Sequence, residues 1–192
     1  MNDIRPLAVP GSWVITPQVF SDDRGEFLEW FRPDRFEAAT GRGFRVAQAN
    51  QSVSRRGVVR GIHFAHVPPG QAKWVHCTAG AVLDVVVDVR VGSPTFGLSD
   101  AMVLDAQSRR SVMIGEGLGH GFCALTDSAT VTYLLSEVFR TEAERGVDPR
   151  DPDLAIDWPF ATDTLVLSER DAAAPTLAKA RAAGLLPVWN PS

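Results

Sequence analysis

The chain has 192 residues, 45% of them hydrophobic and 22% charged, with a formal net charge of −4. This composition excludes a disordered, collagen-like or coiled-coil chain and suits a single domain over 1–192, large enough to bury a core without metal or disulfide staples. The acidic balance argues against a general nucleic-acid binder. No apolar run approaches the roughly 18 residues that span a bilayer, and MNDIRPLAVPGSWV has no basic-then-apolar leader, so a cytoplasmic location away from membranes is expected.

In chain order, short apolar runs alternate with turn residues: SWVIT, GEFLEWF, FRVAQAN, GVVRGIHF, KWVHC, AVLDVVVDVRV, DAMVLDA, SVMIGEG, HGFCALT and TVTYLLS. Strands of this length and spacing predict an all-β sandwich or barrel. The clearest is 81–91, where Leu83, Val85, Val87, Val89 and Val91 share one face and Asp84, Asp88 and Arg90 the other. That pattern predicts a half-buried strand. A helix is expected over 33–40, opened by Pro33 and stopped at Gly41. A second is expected over 169–183, preceded by Ser168, closed by Gly184 and open to interruption at Pro175. The segment GLLPVWNPS reads as a docked or frayed tail.

Alternation places Val59, Gly61 and His63 on one face, Lys73, Val75 and Cys77 on another, and Val131, Tyr133 and Leu135 on a third. A barrel interior holding His63, Lys73 and Tyr133, the only tyrosine, would carry an acid–base set in an apolar cup. Arg24 and Arg60 each precede a glycine, a pairing that either lets a guanidinium fork meet phosphate where the backbone approaches closely or simply marks a solvated turn corner. Asp171 closes a Ser-x-x-Asp helix start and so has a capping alternative. Cys77 and Cys123 sit among small and apolar neighbours and read as buried free thiols, with no CxxC pair to bind zinc. The HxxH spacing of His63 and His66 does not put two ligands on one strand face, and His120 lacks a His-x-His partner, so metal binding is the less favoured reading.

These residues resemble the dTDP-4-dehydrorhamnose 3,5-epimerase family. The matching segments are FSDDRGEF at 20–27, QAN at 48–50, GVVRGIHF at 57–64, PPGQAK at 68–73 and DVVVDVRVGSPTFG at 84–97. EGLGHGF at 116–122, DPDLAIDWP at 151–159 and LSERD at 167–171 continue the match, which spans about 15 to 175. The resemblance implies a cupin-type jelly-roll β-barrel with a few peripheral helices and a helical tail from about 169. It also implies a cofactor-independent epimerase that inverts C3, C5 or both of a dTDP-linked 4-keto-6-deoxysugar. VAQAN, PPGQAK and AGLLP are most similar to members that make antibiotic deoxysugars.

By the same resemblance His63 is the base, Asp171 its carboxylate partner, Lys73 the cation at the C4 oxygen and Tyr133 the acid on the opposite face. Gln48, Asn50 and Arg60 are implied as diphosphate and sugar contacts, with His120 beside the same pocket. Arg24, Phe27 and Glu29 match positions that reach across a homodimer to the nucleotide. The chain departs from the family at Val138-Phe139, where an aromatic pair is usual, and at Gly115, where proline is usual. Both changes bear on which carbon is inverted. Two alternatives stand beside this reading: a metal-dependent cupin oxygenase or isomerase using His63 and His120, and a catalytically silent sugar-nucleotide-binding relative.

Overall fold

Short alternating segments satisfy their backbone groups only by pairing with one another. In the computed structural model, which describes residues 3–190, they do so as two facing sheets. The strands are β1 (Asp3–Pro6), β2 (Ser12–Thr16), β3 (Val19–Asp22), β4 (Gly25–Leu28), β5 (Gln48–Ser54), β6 (Val59–Ala65) and β7 (Lys73–Ala79). Next come β8 (Ala81–Val87), β9 (Ser99–Asp105), β10 (Ser111–Ile114), β11 (Gly119–Ala124), β12 (Ala129–Leu135) and β13 (Glu144–Gly146). One sheet runs β1-β2-β10-β7-β12-β5 and the other β13-β6-β11-β8-β9, while β3 and β4 form a separate hairpin. Neighbours in both sheets pair antiparallel. This is the jelly-roll barrel of the cupin type.

Three apolar clusters hold it together. Val75, Cys77, Val82, Val86, Val112, Phe122 and Val131 fill part of the space between the sheets. Ile62, Phe64, Val85 and Val87 cover the outer face of the five-stranded sheet and pack on Leu154, Leu177 and Leu186 from the C-terminal third. On the other outer face, Ile15, Trp74, Met113 and Leu134 pack on Phe36 and Phe44. Phe36 lies in helix α1 (Pro33–Thr40), which starts at the expected proline and ends with Gly41 at φ 73°, the left-handed cap that glycine adopts without strain.

The expectations for 81–91 and 169–183 are corrected. The 81–91 segment is not half-buried: its strand ends at Val87 and both faces are covered, Val82 and Val86 by the barrel interior and Val85 and Val87 by the C-terminal layer. Asp84 therefore points into the barrel, where it is 1% exposed. Asp88 and Arg90 are also buried, joined to each other at 2.8 Å, with the Ser93 and Thr95 hydroxyls donating to Asp88. A polar residue in an apolar alternation reads as solvent-facing unless its partners, distant in the chain, are known.

The expected 169–183 helix is two short ones, α2 (Glu169–Ala172) and α3 (Leu177–Ala182), because Pro175 has no N–H to continue the ladder and Thr176 caps a new start. The tail docks: Pro187 accepts from the Val91 amide at 2.8 Å, Trp189 donates back to the Val91 carbonyl at 2.9 Å, and the Arg90 guanidinium lies 4.2 Å from the Trp189 ring. Only its last two residues lie outside the described region. Cys77 and Cys123 are buried free thiols, both pushed up to about 11 by burial.

Candidate active site

Where the apolar filling stops, the barrel opens into a cavity of about 390 Å³. Its walls come from both sheets. His63 on β6 and His120 on β11 project from the five-stranded sheet, and they are direct cross-strand partners. Asn50 on β5, Lys73 on β7 and Tyr133 on β12 project from the six-stranded sheet, and residues 166–171 close one side. Alternation thus delivers the histidine and the tyrosine to one space from opposing walls.

Gly61 makes this arrangement possible. Its φ is 131°, and a Cβ there would lie 2.5 Å from Gly121 Cα and 2.7 Å from the His120 carbonyl oxygen. The backbones of β6 and β11 touch at this point, where the register shifts between His120 and Phe122. The result is a bulge that no side chain larger than hydrogen allows.

His63 Nε2 lies 2.6 Å from Asp171 Oδ1. Ser168 caps α2 by accepting from the Asp171 amide, so the serine does the capping and the aspartate carboxylate is left for the imidazole. Burial opposes ionisation of Asp171, but the bond and charge of His63, the Ser168 hydroxyl and the Gly61 amide outweigh it and hold the carboxyl below its ordinary value. With Nε2 engaged, Nδ1 is the His63 nitrogen that Asp171 does not occupy. His120 Nε2 is similarly 2.8 Å from Asp84 Oδ2.

Lys73 is 7% exposed, and its Nζ donates only a long bond, 3.4 Å, to the His63 carbonyl. Burial lowers its pKa below 10.5; the Glu144 and Asp84 carboxylates work against this and Arg170 with it. Arg60 also lines the cavity, held by Nε donating to Ser54 Oγ at 3.0 Å.

Seven of the expected residues, His63, Lys73, Tyr133, Asp171, Asn50, Arg60 and His120, therefore share one cavity. Gln48 stands beside it, its amide donating to Asn50 Oδ1 and accepting from the Phe139 backbone, each at 2.8 Å. Arg24 and Phe27 lie on the β3–β4 hairpin, away from this cavity, with Arg24 paired to Asp22 and Phe27 66% exposed. Glu29, just beyond the hairpin, pairs with Arg32 and Arg35. Of the other histidines, His66 lines a neighbouring cavity and His76 stacks on Trp30 outside the barrel.

Several residues in or around the cavity escaped sequence reasoning. Glu144 sits on a three-residue strand with no periodicity to announce it, and Arg170, beside Asp171 in Ser-Glu-Arg-Asp, carries no motif of its own. Asp84 lies on the face opposite Leu83, as alternation requires, but that face is the barrel interior and not solvent, and Gln71 has no signal beyond its place in PPGQAK. Among the described residues, no group of three His, Cys, Asp or Glu side chains is disposed to hold a metal ion.

Comparison with known proteins matches this arrangement to one family. The family model for dTDP-4-dehydrorhamnose 3,5-epimerase matches residues 6–179. A dTDP-4-dehydrorhamnose 3-epimerase from Streptomyces niveus is 59% identical over 97% of this chain and 89% of its own. The crystal structure of NovW, a 4-keto-6-deoxy sugar epimerase from the novobiocin cluster of Streptomyces spheroides, superposes with a TM-score of 0.95 at 57% identity, covering 98% of this chain and 94% of NovW. ChmJ, a 3′-monoepimerase from Streptomyces bikiniensis solved with dTDP-quinovose, gives a TM-score of 0.91 at 50% identity, covering 95% and 92%. A barrel of this topology, matched over nearly its whole length by both sequence and structure, belongs to the dTDP-4-dehydrorhamnose 3,5-epimerase family.

Proposed function

We propose that the chain is a cofactor-independent epimerase of a dTDP-linked 4-keto-6-deoxyhexose in antibiotic deoxysugar biosynthesis. The observation that carries this is the placement of His63–Asp171 on one wall of the cavity and Tyr133 and Lys73 on the other. Inversion at carbon needs a base and an acid on opposite faces of the sugar ring, with something to hold the charge between the two steps.

The ketone at C4 acidifies the hydrogens on C3 and C5. Neutral His63, donating through Nε2 to Asp171, takes the proton at Nδ1. The C–H electron pair becomes the C=C of an enolate, and the negative oxygen meets the Lys73 ammonium. Asp171 fixes the imidazole's orientation and stabilises the imidazolium that forms. As the C=O re-forms, the Tyr133 hydroxyl gives its proton to the same carbon from the other face; solvent then reprotonates the tyrosinate and takes the proton from the His63 imidazolium, returning both groups to their starting states. No redox change or group transfer occurs, so atoms and charge balance without a nicotinamide or a metal.

Arg60 supplies a planar fork for the diphosphate, while Asn50 and His120 complete the polar lining. The relatives' names include 3-epimerases and monoepimerases, and C3 is the carbon expected to exchange faster. The hairpin that carries Arg24 and Phe27 is exposed throughout most of its length, with Phe20 and Phe27 51% and 66% exposed. Its role in this reading is to cross to a second copy of the chain and cover the nucleotide there, giving a homodimer in the cytoplasm.

The test is incubation with dTDP-4-keto-6-deoxyglucose in deuterium oxide after exhaustive chelation. Label at C3 or C5 at the rate of untreated enzyme supports the proposal. Loss of exchange on chelation, restored by one metal, would support the metal-dependent alternative instead. Equilibrium sedimentation at the mass of one chain would refute the dimer.

A further inference from the structure

Gln71 lies just before β7 and takes no part in the chemistry above. It is 8% exposed, and its Nε2 donates to the Glu137 carbonyl at 3.0 Å. Glu137 is the second residue of the stretch between β12 and β13, whose first, Ser136, accepts from Ala72 N at Oγ and donates its own N–H to the Ala72 carbonyl. Two residues further on, Phe139 N donates to Gln48 Oε1 at 2.8 Å. Two glutamine side chains thus hold residues 137–139 through backbone groups.

This stretch is a wall between two spaces. Phe139 lines the main cavity, and Val138 lines a second one of about 250 Å³. Gln71 and Glu144 line both. Val138 and Phe139 are 55% and 43% exposed, so little apolar packing locates them and the amide bonds carry that task. A buried amide that spends its donor on a backbone carbonyl holds that carbonyl in place, and its loss leaves the carbonyl without its partner.

We propose that Gln71 is a positioning residue that determines specificity: by holding the Glu137 carbonyl it fixes the wall, and with it the tilt of the hexose ring toward His63. This rests on the epimerase reading. C3 and C5 flank C4, whose oxygen sits at Lys73, two residues along the chain from Gln71. Tilting the ring about that oxygen brings one C–H toward the base and takes the other away. A misplacement of about 1 Å costs about a hundredfold in rate, so a shift of a few tenths changes the relative rates at C3 and C5 severalfold.

Two variants test this. Gln71→Met keeps the length and removes the donor; Gln71→Asn keeps the donor and falls one methylene short. Backbone hydrogen exchange of 137–143 is measured without substrate, the ratio of deuterium entry at C3 and C5 with dTDP-4-keto-6-deoxyglucose, and dTDP affinity by calorimetry. Both variants are expected to exchange 137–143 at least about threefold faster and to shift the C3:C5 ratio by about threefold or more, with dTDP affinity within about twofold of the unmodified enzyme. Unchanged protection of 137–143, or an unchanged ratio in both variants while the unmodified enzyme takes up label, would overturn the role of Gln71 alone. Absence of label at both carbons in the unmodified enzyme would overturn the epimerase reading and this role with it.

Discussion

Lys73→Met is expected to make the protein more stable and to remove its activity. Lys73 is 7% exposed and makes a single 3.4 Å bond to a carbonyl, so most of the hydration its ammonium loses on folding is not replaced. Its pKa is lowered first by burial, and the nearby Glu144 and Asp84 carboxylates offset this only in part. Methionine fills nearly the same volume and has no charge to bury. Replacing a poorly compensated buried charge by an apolar side chain of similar shape gains about 1–2 kcal/mol, a rise of about 2–8 °C in Tm for a chain of this size.

The pH dependence has a definite sign. With a folded pKa below 10.5, the unfolded chain holds more protons than the folded one between the two values, so stability of the unmodified protein rises with pH across that window. The advantage of Lys73→Met is therefore greatest near neutral pH and shrinks as pH climbs toward 10.5. Urea unfolding followed by tryptophan fluorescence at several pH values reads both effects. In the exchange assay the same variant loses about a hundredfold or more, as expected when a charge-stabilising group is removed. A variant less stable than the unmodified protein at pH 7 would refute the reasoning, since Lys73 would then be paired well enough to contribute to the fold.

Other outcomes are equally specific. Tyr133→Phe keeps the ring and removes the proton, so solvent deuterium enters the sugar on the His63 face while the epimer forms far more slowly. NMR of both signals checks this, and full inversion would point to another donor. Arg60→Ala weakens dTDP binding by about tenfold or more and Arg60→Lys by less, because lysine lacks the planar fork; calorimetry reads the difference. Gly61→Ala costs about 3 kcal/mol or more, since its Cβ meets backbone at positive φ, and chemical denaturation measures it.

Much of the cavity was legible because strand alternation is a local rule. Once KWVHC and TVTYLLS are strands, Lys73 and Tyr133 must face the same side as Val75 and Val131, and they do. Asp171 was harder, since Ser-x-x-Asp reads equally as a capping pair. The structure divides the roles, with Ser168 capping and Asp171 free for His63. What alternation cannot supply is which face is inside when both are covered. The half-buried reading turns Asp84 to solvent for that reason, whereas the structure buries it against His120, 36 residues away.

The fifth strand was expected over FRVAQAN but runs Gln48–Ser54, because Phe44 leaves the sheet to pack on Trp74 and the more polar QANQSVS takes the ladder with β12. Glu144 and β13 had no signal at all: three residues, Glu-Arg-Gly, become a strand only because β6 offers them an edge.

The central claim is that His63 removes a proton beside the ketone. Its most direct test compares the unmodified enzyme with His63→Ala, each incubated with dTDP-4-keto-6-deoxyglucose in deuterium oxide and followed by proton NMR at C3 and C5. Label at one or both carbons is expected with the unmodified enzyme, and a loss of about 10²–10⁴-fold for His63→Ala, with dTDP binding retained. Label entering at the unmodified rate in the His63→Ala protein would contradict it.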